Sequence, residues 1–242
     1  MGDLSKMTIP IFIITRDRVS VLKQSIASYM KLGNIEVVIH DNNSTYPPMI
    51  EYLKELESQG IKVYRYPETT GYYAISELVK QTIDHWYCGN DSEYYIVTDP
   101  DIELDNPSPA MLEYFIKLHK VRHPIVVAPM LRIDDLPDCF HFKDQMINSH
   151  MEQFWGTRHR RCNMNGIEYI SAPTDTTFGM YKNTFKFRRL NQGIRVHKPY
   201  TAKHLDWYID TKNLSEEQQY YVDHAHKPTS TMSMHIEKGG ML

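Results

Sequence analysis

The sequence has few cysteines, and their positions exclude two kinds of covalently or metal-stabilised domain. Cys88, Cys139 and Cys162 are odd in number, far apart and without C-x-x-C spacing. A disulfide framework and a structural zinc site both need closer or paired cysteines. We therefore predict reduced thiols that are mostly buried.

Long apolar runs and a basic block are also missing. No stretch approaches the roughly 18 apolar residues that cross a bilayer, and the amino terminus lacks the charged-then-apolar layout of a signal peptide. Lysine and arginine total 27 against 30 acidic residues, so the formal net charge is -3. These features predict a cytoplasmic protein whose partners are small molecules and not nucleic acid.

Three common catalytic motifs are absent from the 242 residues. There is no P-loop, no G-x-S-x-G elbow and no H-E-x-x-H helix, which excludes P-loop phosphoryl transfer, serine-elbow hydrolysis and zinc-helix hydrolysis. A hydrophobic content of 41% is nevertheless enough for a substantial core. The chain is thus long enough for one large domain, or for a domain with a small elaboration.

The first half of the chain alternates between strand and helix patterns. Apolar runs predict strands, and helical spacing of apolar residues predicts the segments between them. The predicted strands are Ile9 to Thr15, Glu36 to His40, Ile61 to Tyr66 and Tyr94 to Thr98. This alternation predicts an α/β fold, with a Rossmann-like open mixed sheet that is mostly parallel and has helices on both faces.

The second half is less regular. Pro107 is predicted to begin a helix, Ile125 to Pro129 to form a strand, and Met146 to Phe154 to form a helix. Three further strands are predicted at Ile167 to Ile170, Thr177 to Tyr181 and Ile194 to His197. From Ser215 onward the sequence is polar and predicts either a loose tail or a final helix.

Polar residues follow several predicted strands at the point where each strand ends. Thr15, Asp41, the segment before Gly71, and Asp99 all occupy such positions. The carboxyl ends of parallel strands meet at one edge of a sheet, where open α/β folds bind their ligands. Polar turn residues are common at strand ends, but the convergence of four segments favours a binding site.

Asp99-Pro100-Asp101 is the segment with the clearest chemical meaning. Two carboxylates at the end of a buried strand suit a hard cation such as Mg²⁺ or Mn²⁺, which in turn binds phosphate oxygens. The alternative is that Asp99 caps the turn and Asp101 caps the segment that follows it. We favour the metal site, because the other polar strand ends lie at the same edge.

These residues together resemble the GT-A glycosyltransferases, most nearly those of family 2. The likeness extends from about Ile9 to Tyr208. Asp99-Pro100-Asp101 is similar to the D-x-D motif of that family, and Asp41-Asn42-Asn43-Ser44 is similar to its D-N-x-S turn. The family's Asn-x-Gly after the third strand reads Thr69-Thr70-Gly71 here.

The resemblance implies roles for individual residues on the donor side. Thr15, Arg16, Arg18, Asp41, Asn42, Gly71 and Asp99 would contact the nucleotide sugar, and Asp99, Asp101 and His204 would bind Mn²⁺ or Mg²⁺. For Arg18 a solvated helix start is an equal alternative, and a histidine such as His204 is also common as an ordinary hydrogen-bonded residue.

On the acceptor side, Asp175 is the nearest counterpart of the family's catalytic base. Trp207 is predicted to belong to the nucleotide-sugar site, where its ring would stack on the apolar face of a sugar. Asp175 could equally form an Asx-turn in a hairpin, and an aromatic residue such as Trp207 is also common in a core.

The predicted activity is the metal-dependent transfer of a sugar from a nucleotide donor, with UDP as the expected nucleotide, to a hydroxyl of a glycan or glycolipid, with inversion. Residues 1–214 would form one catalytic domain, with a nucleotide-binding half (1–105) and an acceptor-binding half (106–214). Residues 215–242 would form the tail or final helix. Peripheral association with a membrane is left open.

The alternative functions are a sugar-phosphate nucleotidyltransferase, which normally has a glycine-rich first loop, and a non-catalytic nucleotide-sugar or glycan-binding protein.

Overall fold

The computed structural model describes residues 7–87, 92–156 and 159–224. Its helices are α1 (Val19–Tyr29), α2 (Pro47–Ser58), α3 (Tyr72–Tyr87), α4 (Pro109–Arg122), α5 (Lys143–His150) and α6 (Glu216–His224). Its strands are β1 (Ile9–Thr15), β2 (Ile35–Asp41), β3 (Lys62–Arg65), β4 (Tyr94–Thr98), β5 (Ile102–Leu104), β6 (Val126–Leu131), β7 (Cys162–Met164), β8 (Ile167–Thr174), β9 (Gly179–Lys182) and β10 (Asn191–His204).

The ten strands in this part of the chain form a single sheet in the order β3-β2-β1-β4-β9-β6-β10-β8-β7, with β5 paired to β10. Strands β1 to β4 pair in parallel. Strand β9 lies antiparallel between β4 and β6, and β8 is antiparallel to both β7 and β10. The predicted α/β fold with a mixed sheet is confirmed, and the antiparallel pairs all involve the carboxyl-terminal strands β8, β9 or β10.

The sheet is covered on both faces, as the sequence pattern predicts. In β1, Ile11 and Ile13 face the core that contains α1, α2 and α4, whereas Phe12 and Ile14 face the core that contains α3. All seven residues of β1 are buried, which explains why the strand reads as a continuous apolar run and not as an alternating one.

Helix ends follow local backbone preferences. The turn after α1 ends at Gly33 and the turn after α2 at Gly60, both with positive φ, a conformation that glycine adopts at low cost. Helix α4 begins at Pro109 and not at Pro107, because extended Ser108 stands before the helix and proline suits its first turn.

The structure differs from two further predictions. Strand β10 is much longer than the predicted Ile194 to His197 and carries an irregularity between Val196 and Thr201. Cys139 is exposed, so the prediction of a buried thiol is wrong there. Cys162 is partly buried, and Cys88 lies outside the described residues.

The polar segment after Ser215 begins with helix α6, and residues 225–242 lie outside the described part. Among the residues that the structure describes, no helix combines the length and apolar character needed to cross a bilayer.

Candidate active site

Strand pairing brings two distant predicted residues together at the sheet edge. The last residue of β10, His204, pairs with Ile102 of β5, and the backbone N–H of Leu205 donates to the carbonyl oxygen of Asp101 at 2.7 Å. His204 Nδ1 lies 3.6 Å from Asp101 Oδ2. The register of the antiparallel β5–β10 pair therefore brings Asp101 and His204 together, although they are far apart in the sequence.

A third ligand-type side chain joins them. The helical turn Leu205–Tyr208 follows β10 and carries Asp206. One ligand atom from each of Asp101, His204 and Asp206 lies within 4.8 Å of the others. Asp206 is not among the residues that we predicted from the sequence.

The donor set of this group fits a divalent cation. Asp101 is 3% exposed, and its Oδ1 accepts no hydrogen bond from the described residues; His204 Nδ1 is likewise without a hydrogen bond. Buried polar atoms are normally paired, so unpaired ligand-type atoms within one such cluster indicate a place for a ligand. Two carboxylates and an imidazole are suitable ligands for Mn²⁺, and the carboxylates also for Mg²⁺.

Arg18 contacts both carboxylates of the group. Its Nη1 donates to Asp101 Oδ2 at 3.0 Å, and its Nη2 forms an ion pair with Asp206. Burial would raise the pKa of Asp101, but the charges of His204 and Arg18 outweigh it and hold that pKa below its usual range. The alternative of a solvated Arg18 at a helix start is wrong, because the residue is buried.

Asp99 takes a different position from Asp101. Its carboxylate accepts a short hydrogen bond from Thr176 Oγ1 and lies 3.4 Å from Arg189 Nη2. Burial raises the pKa of Asp99 above its usual value. Asp99 lies outside the group formed by Asp101, His204 and Asp206, and its metal-binding role stays a prediction.

Asp175 lies between β8 and β9, which are not neighbours in the sheet. The alternative interpretation of Asp175 as a hairpin turn is therefore wrong. Its Oδ1 lies 3.2 Å from Nη2 of Arg195. Loss of solvent would raise the pKa of Asp175, but Arg195 and a hydrogen bond from Thr177 hold it below its usual range. The carboxylate is thus ionised at neutral pH.

The Arg195 side chain is fixed from several sides. It donates to the carbonyl oxygens of Pro173 and Pro129 and to Thr177 Oγ1, at 2.8, 3.3 and 3.0 Å. Its guanidinium also lies 4.7 Å from the ring centre of Phe154. Arg195 therefore orients Asp175 from a rigid position on β10.

The segment that carries Asp175 contains an unusual backbone conformation. Phe178 has a φ of 57° and is fully buried, with its ring 4.9 Å from that of Tyr29. A positive φ is a genuine outlier for a bulky residue. The buried ring holds the turn in a conformation that its local preference disfavours, and such strain is often found at functional sites.

One cavity of about 280 Å³ connects the metal-type group to Asp175. Its polar lining includes Asp175, Arg195, His204 and Asp206. Its apolar lining is rich in aromatic residues, namely Phe140, Phe142, Phe154 and Trp207. Trp207 is 8% exposed and its ring stacks on that of His204, with the centroids 4.8 Å apart.

On the opposite side of Asp101, the predicted nucleotide contacts lie at the ends of β1 and β2. Thr15 is buried, and its Oγ1 has no hydrogen-bond partner among the described residues. The Asp41 carboxylate accepts hydrogen bonds from the backbone N–H and the hydroxyl of Ser44, and burial raises its pKa. Asn42 exchanges hydrogen bonds with Thr70, which ties the β2 loop to the β3–α3 loop.

Arg16 and Gly71 complete the predicted set. Arg16 Nη2 donates to the carbonyl oxygen of His224 in α6 at 2.7 Å. Gly71 precedes α3, and a Cβ placed there would lie more than 4 Å from the atoms of the described residues other than its chain neighbours. The structure thus brings Thr15, Asp41 and Arg18 to one sheet edge, and contact with a donor stays a prediction for all of them.

Two residues of the site, Asp206 and Arg195, were not predicted from the sequence. Asp206 follows the predicted ligand His204 by two positions, and that short spacing on a turn is a signal that could have identified it. Arg195 gives no such signal, because a charged residue within a strand pattern reads as solvent-facing.

Comparison with solved structures tests the fold. The structure resembles GalNAc-T7 solved with UDP, GalNAc and Mn²⁺, with a TM-score of 0.51 and 13% identity, over 82% of this chain and 44% of that protein. It also matches S. aureus TarS 1-349 (TM-score 0.48, 11% identity, 91% of this chain and 73% of that one). A third match is the Pyrobaculum calidifontis mannosyltransferase PcManGT with GDP-Man and Mn²⁺ (TM-score 0.40, 16% identity, 52% and 36%).

No protein-family model and no curated protein matches the sequence. The chain spans less than half the length of GalNAc-T7, and at 13% identity this likeness bears on the fold alone. The protein therefore adopts the GT-A fold of glycosyltransferases.

Proposed function

We propose that this protein is a divalent-metal-dependent glycosyltransferase that uses a nucleotide sugar, with UDP as the expected nucleotide. The single observation that carries the proposal is the shared cavity. The Asp101, His204 and Asp206 group reaches it through His204 and Asp206, and the carboxylate of Asp175 lines the same space. A site for a leaving group and a candidate base thus adjoin one small cavity.

The nucleotide-sugar donor would bind at the carboxyl-terminal edge of the parallel strands. The nucleoside would lie over the ends of β1 and β2, near Thr15 and Asp41, with its diphosphate directed toward Asp101. Asp101, His204 and Asp206 would hold Mn²⁺ or Mg²⁺, and the bound cation would neutralise charge on the departing diphosphate. The GalNAc-T7 structure contains Mn²⁺ with UDP and GalNAc, which supports this class of ligand.

The acceptor side uses Asp175. Its ionised carboxylate takes the proton of the acceptor hydroxyl while the hydroxyl oxygen forms a bond to the anomeric carbon. The bond from that carbon to the diphosphate breaks on the opposite face, so the configuration inverts. Arg195 keeps Asp175 ionised and oriented, and the aromatic cavity wall offers apolar surface to sugar rings of a glycan or glycolipid acceptor.

The function is tested with a panel of UDP- and GDP-sugars, with and without Mn²⁺, by measuring nucleotide release to water or to added glycans. We expect Mn²⁺-dependent consumption of at least one donor, and its loss in Asp101→Asn. Asp138→Asn is the matched control, because that carboxylate is 98% exposed and forms its ion pair with Lys143 on the protein surface. Metal-dependent nucleotide binding without turnover would instead identify a binding protein, and release of pyrophosphate from a nucleoside triphosphate would identify a nucleotidyltransferase.

A further inference from the structure

The position of Arg18 has a consequence for metal binding. Two different nitrogens of its guanidinium contact two different carboxylates, those of Asp101 and Asp206. Both acids belong to the group that fits a divalent cation. The arginine therefore already supplies positive charge where a metal ion would supply it.

A guanidinium keeps its positive charge in proteins. A cation that binds Asp101 and Asp206 must therefore either displace Arg18 or lie beside its positive charge. Both events lower metal affinity, the first by the cost of breaking two ion pairs in a buried setting and the second by repulsion at short range.

Helix α6 holds Arg18 in place. The ring centre of Tyr221 lies 4.9 Å from Arg18 Cζ, a cation–π contact. Helix α6 is also attached to α1 by Glu217, which accepts hydrogen bonds from the N–H and the hydroxyl of Ser20. It is attached to the segment after β2 by the hydroxyl of Tyr220, which donates to Thr45 Oγ1. Release of Arg18 thus requires the loss of a contact with α6.

We propose that Arg18 is a built-in competitor of the divalent cation, which occupies the Asp101 and Asp206 carboxylates until the metal displaces it, and that α6 strengthens this competition through Tyr221. The inference rests on the proposed metal site. It assigns to Arg18 a positioning role that sets how tightly the protein binds metal in the absence of a nucleotide.

The experiment measures Mn²⁺ affinity without nucleotide, from the electron paramagnetic resonance signal of free Mn²⁺. Arg18→Gln should bind Mn²⁺ about tenfold more tightly or better, as expected when the metal-competent state is about one-tenth populated before the change. Tyr221→Leu should tighten binding by about two- to fivefold, the size of a partly exposed cation–π contact. Arg161→Gln is the matched control, because it removes a half-exposed charge whose ion-pair partner, Glu168, does not belong to this group.

A second measurement, the melting temperature with and without Mn²⁺, distinguishes a change in metal affinity from misfolding of Arg18→Gln. Loss of Arg18 removes a positive charge that both Asp101 and Asp206 contact, so the variant should melt at a lower temperature in EDTA and gain more from Mn²⁺ than the unchanged protein does. If Tyr221→Leu and Arg18→Gln bind Mn²⁺ no more tightly than the unchanged protein, the role of Arg18 is wrong while the metal site stands. If Mn²⁺ binds none of these proteins, the metal-dependent function and this inference are both wrong.

Discussion

The replacement of Asp175 by asparagine separates a catalytic role from a structural one. Asparagine keeps the shape of the side chain and one acceptor oxygen for Arg195, but it cannot take a proton. Arg195 also retains its bonds to Pro173, Pro129 and Thr177. Because the Asp175 side chain is 50% exposed, solvent screens the lost ion pair, and we expect stability to fall by about 1 kcal/mol or less.

The expected loss of activity is much larger. A positioned general base contributes about 10²- to 10⁴-fold, which corresponds to about 3 to 5 kcal/mol of transition-state stabilisation. The assay is the initial rate of nucleotide release from the best donor at saturating Mn²⁺, with urea unfolding measured on the same samples. Asp138→Asn should match the unchanged protein in both measurements.

A rate for Asp175→Asn within about twofold of the unchanged protein would refute the reasoning, provided that Mn²⁺ still binds. A loss of rate that merely follows a large loss of stability would also count against a catalytic role. Only a large kinetic effect in a stable protein agrees with the placement of Asp175 in the cavity.

Three further predictions concern neighbouring residues. Arg195→Gln removes the charge that lowers the pKa of Asp175, so the acid limb of the rate profile should move to higher pH; an unmoved limb would exclude this coupling. Asp17→Ala should lower the free energy of unfolding by about 2 to 3 kcal/mol, because Asp17 Oδ1 accepts hydrogen bonds from the N–H groups of Thr45 and Tyr46, whereas Asp17→Asn should lose less in urea melts. Gly71→Ala should leave stability within about 0.5 kcal/mol but raise KM for the donor, because its open surroundings are where we predict nucleotide contact; an unchanged KM would remove Gly71 from the donor site.

Much of the amino-terminal half could be predicted because its strands are buried on both faces. Each such strand reads as a nearly continuous apolar run, as in Ile9–Thr15 and Tyr94–Thr98, and the intervening helices show clear apolar spacing. Alternation of the two then restricts the topology to parallel pairing. The carboxyl ends of these strands predicted the sheet edge at which Asp41 and Asp101 lie.

The carboxyl-terminal half was less predictable because its pairings are non-local. Strand β9 inserts antiparallel between β4 and β6, and no local pattern specifies such an insertion. Asp206 reaches the site through the register between β5 and β10, which no local pattern reveals. Arg195 reaches it because the residue is buried, whereas a charged residue is normally expected to be exposed. Local patterns predict elements well, whereas long-range register decides which side chains share a site.

The central claim is that a divalent cation at Asp101, His204 and Asp206 holds a donor diphosphate beside Asp175. The most direct test is a crystal structure grown with Mn²⁺ and UDP, with anomalous diffraction data collected at the manganese edge. We predict one anomalous peak, bonded to these three side chains and to phosphate oxygens, with the Arg18 guanidinium moved from the two carboxylates. A peak at other residues, or a nucleotide bound away from the ends of β1 and β2, would contradict the account.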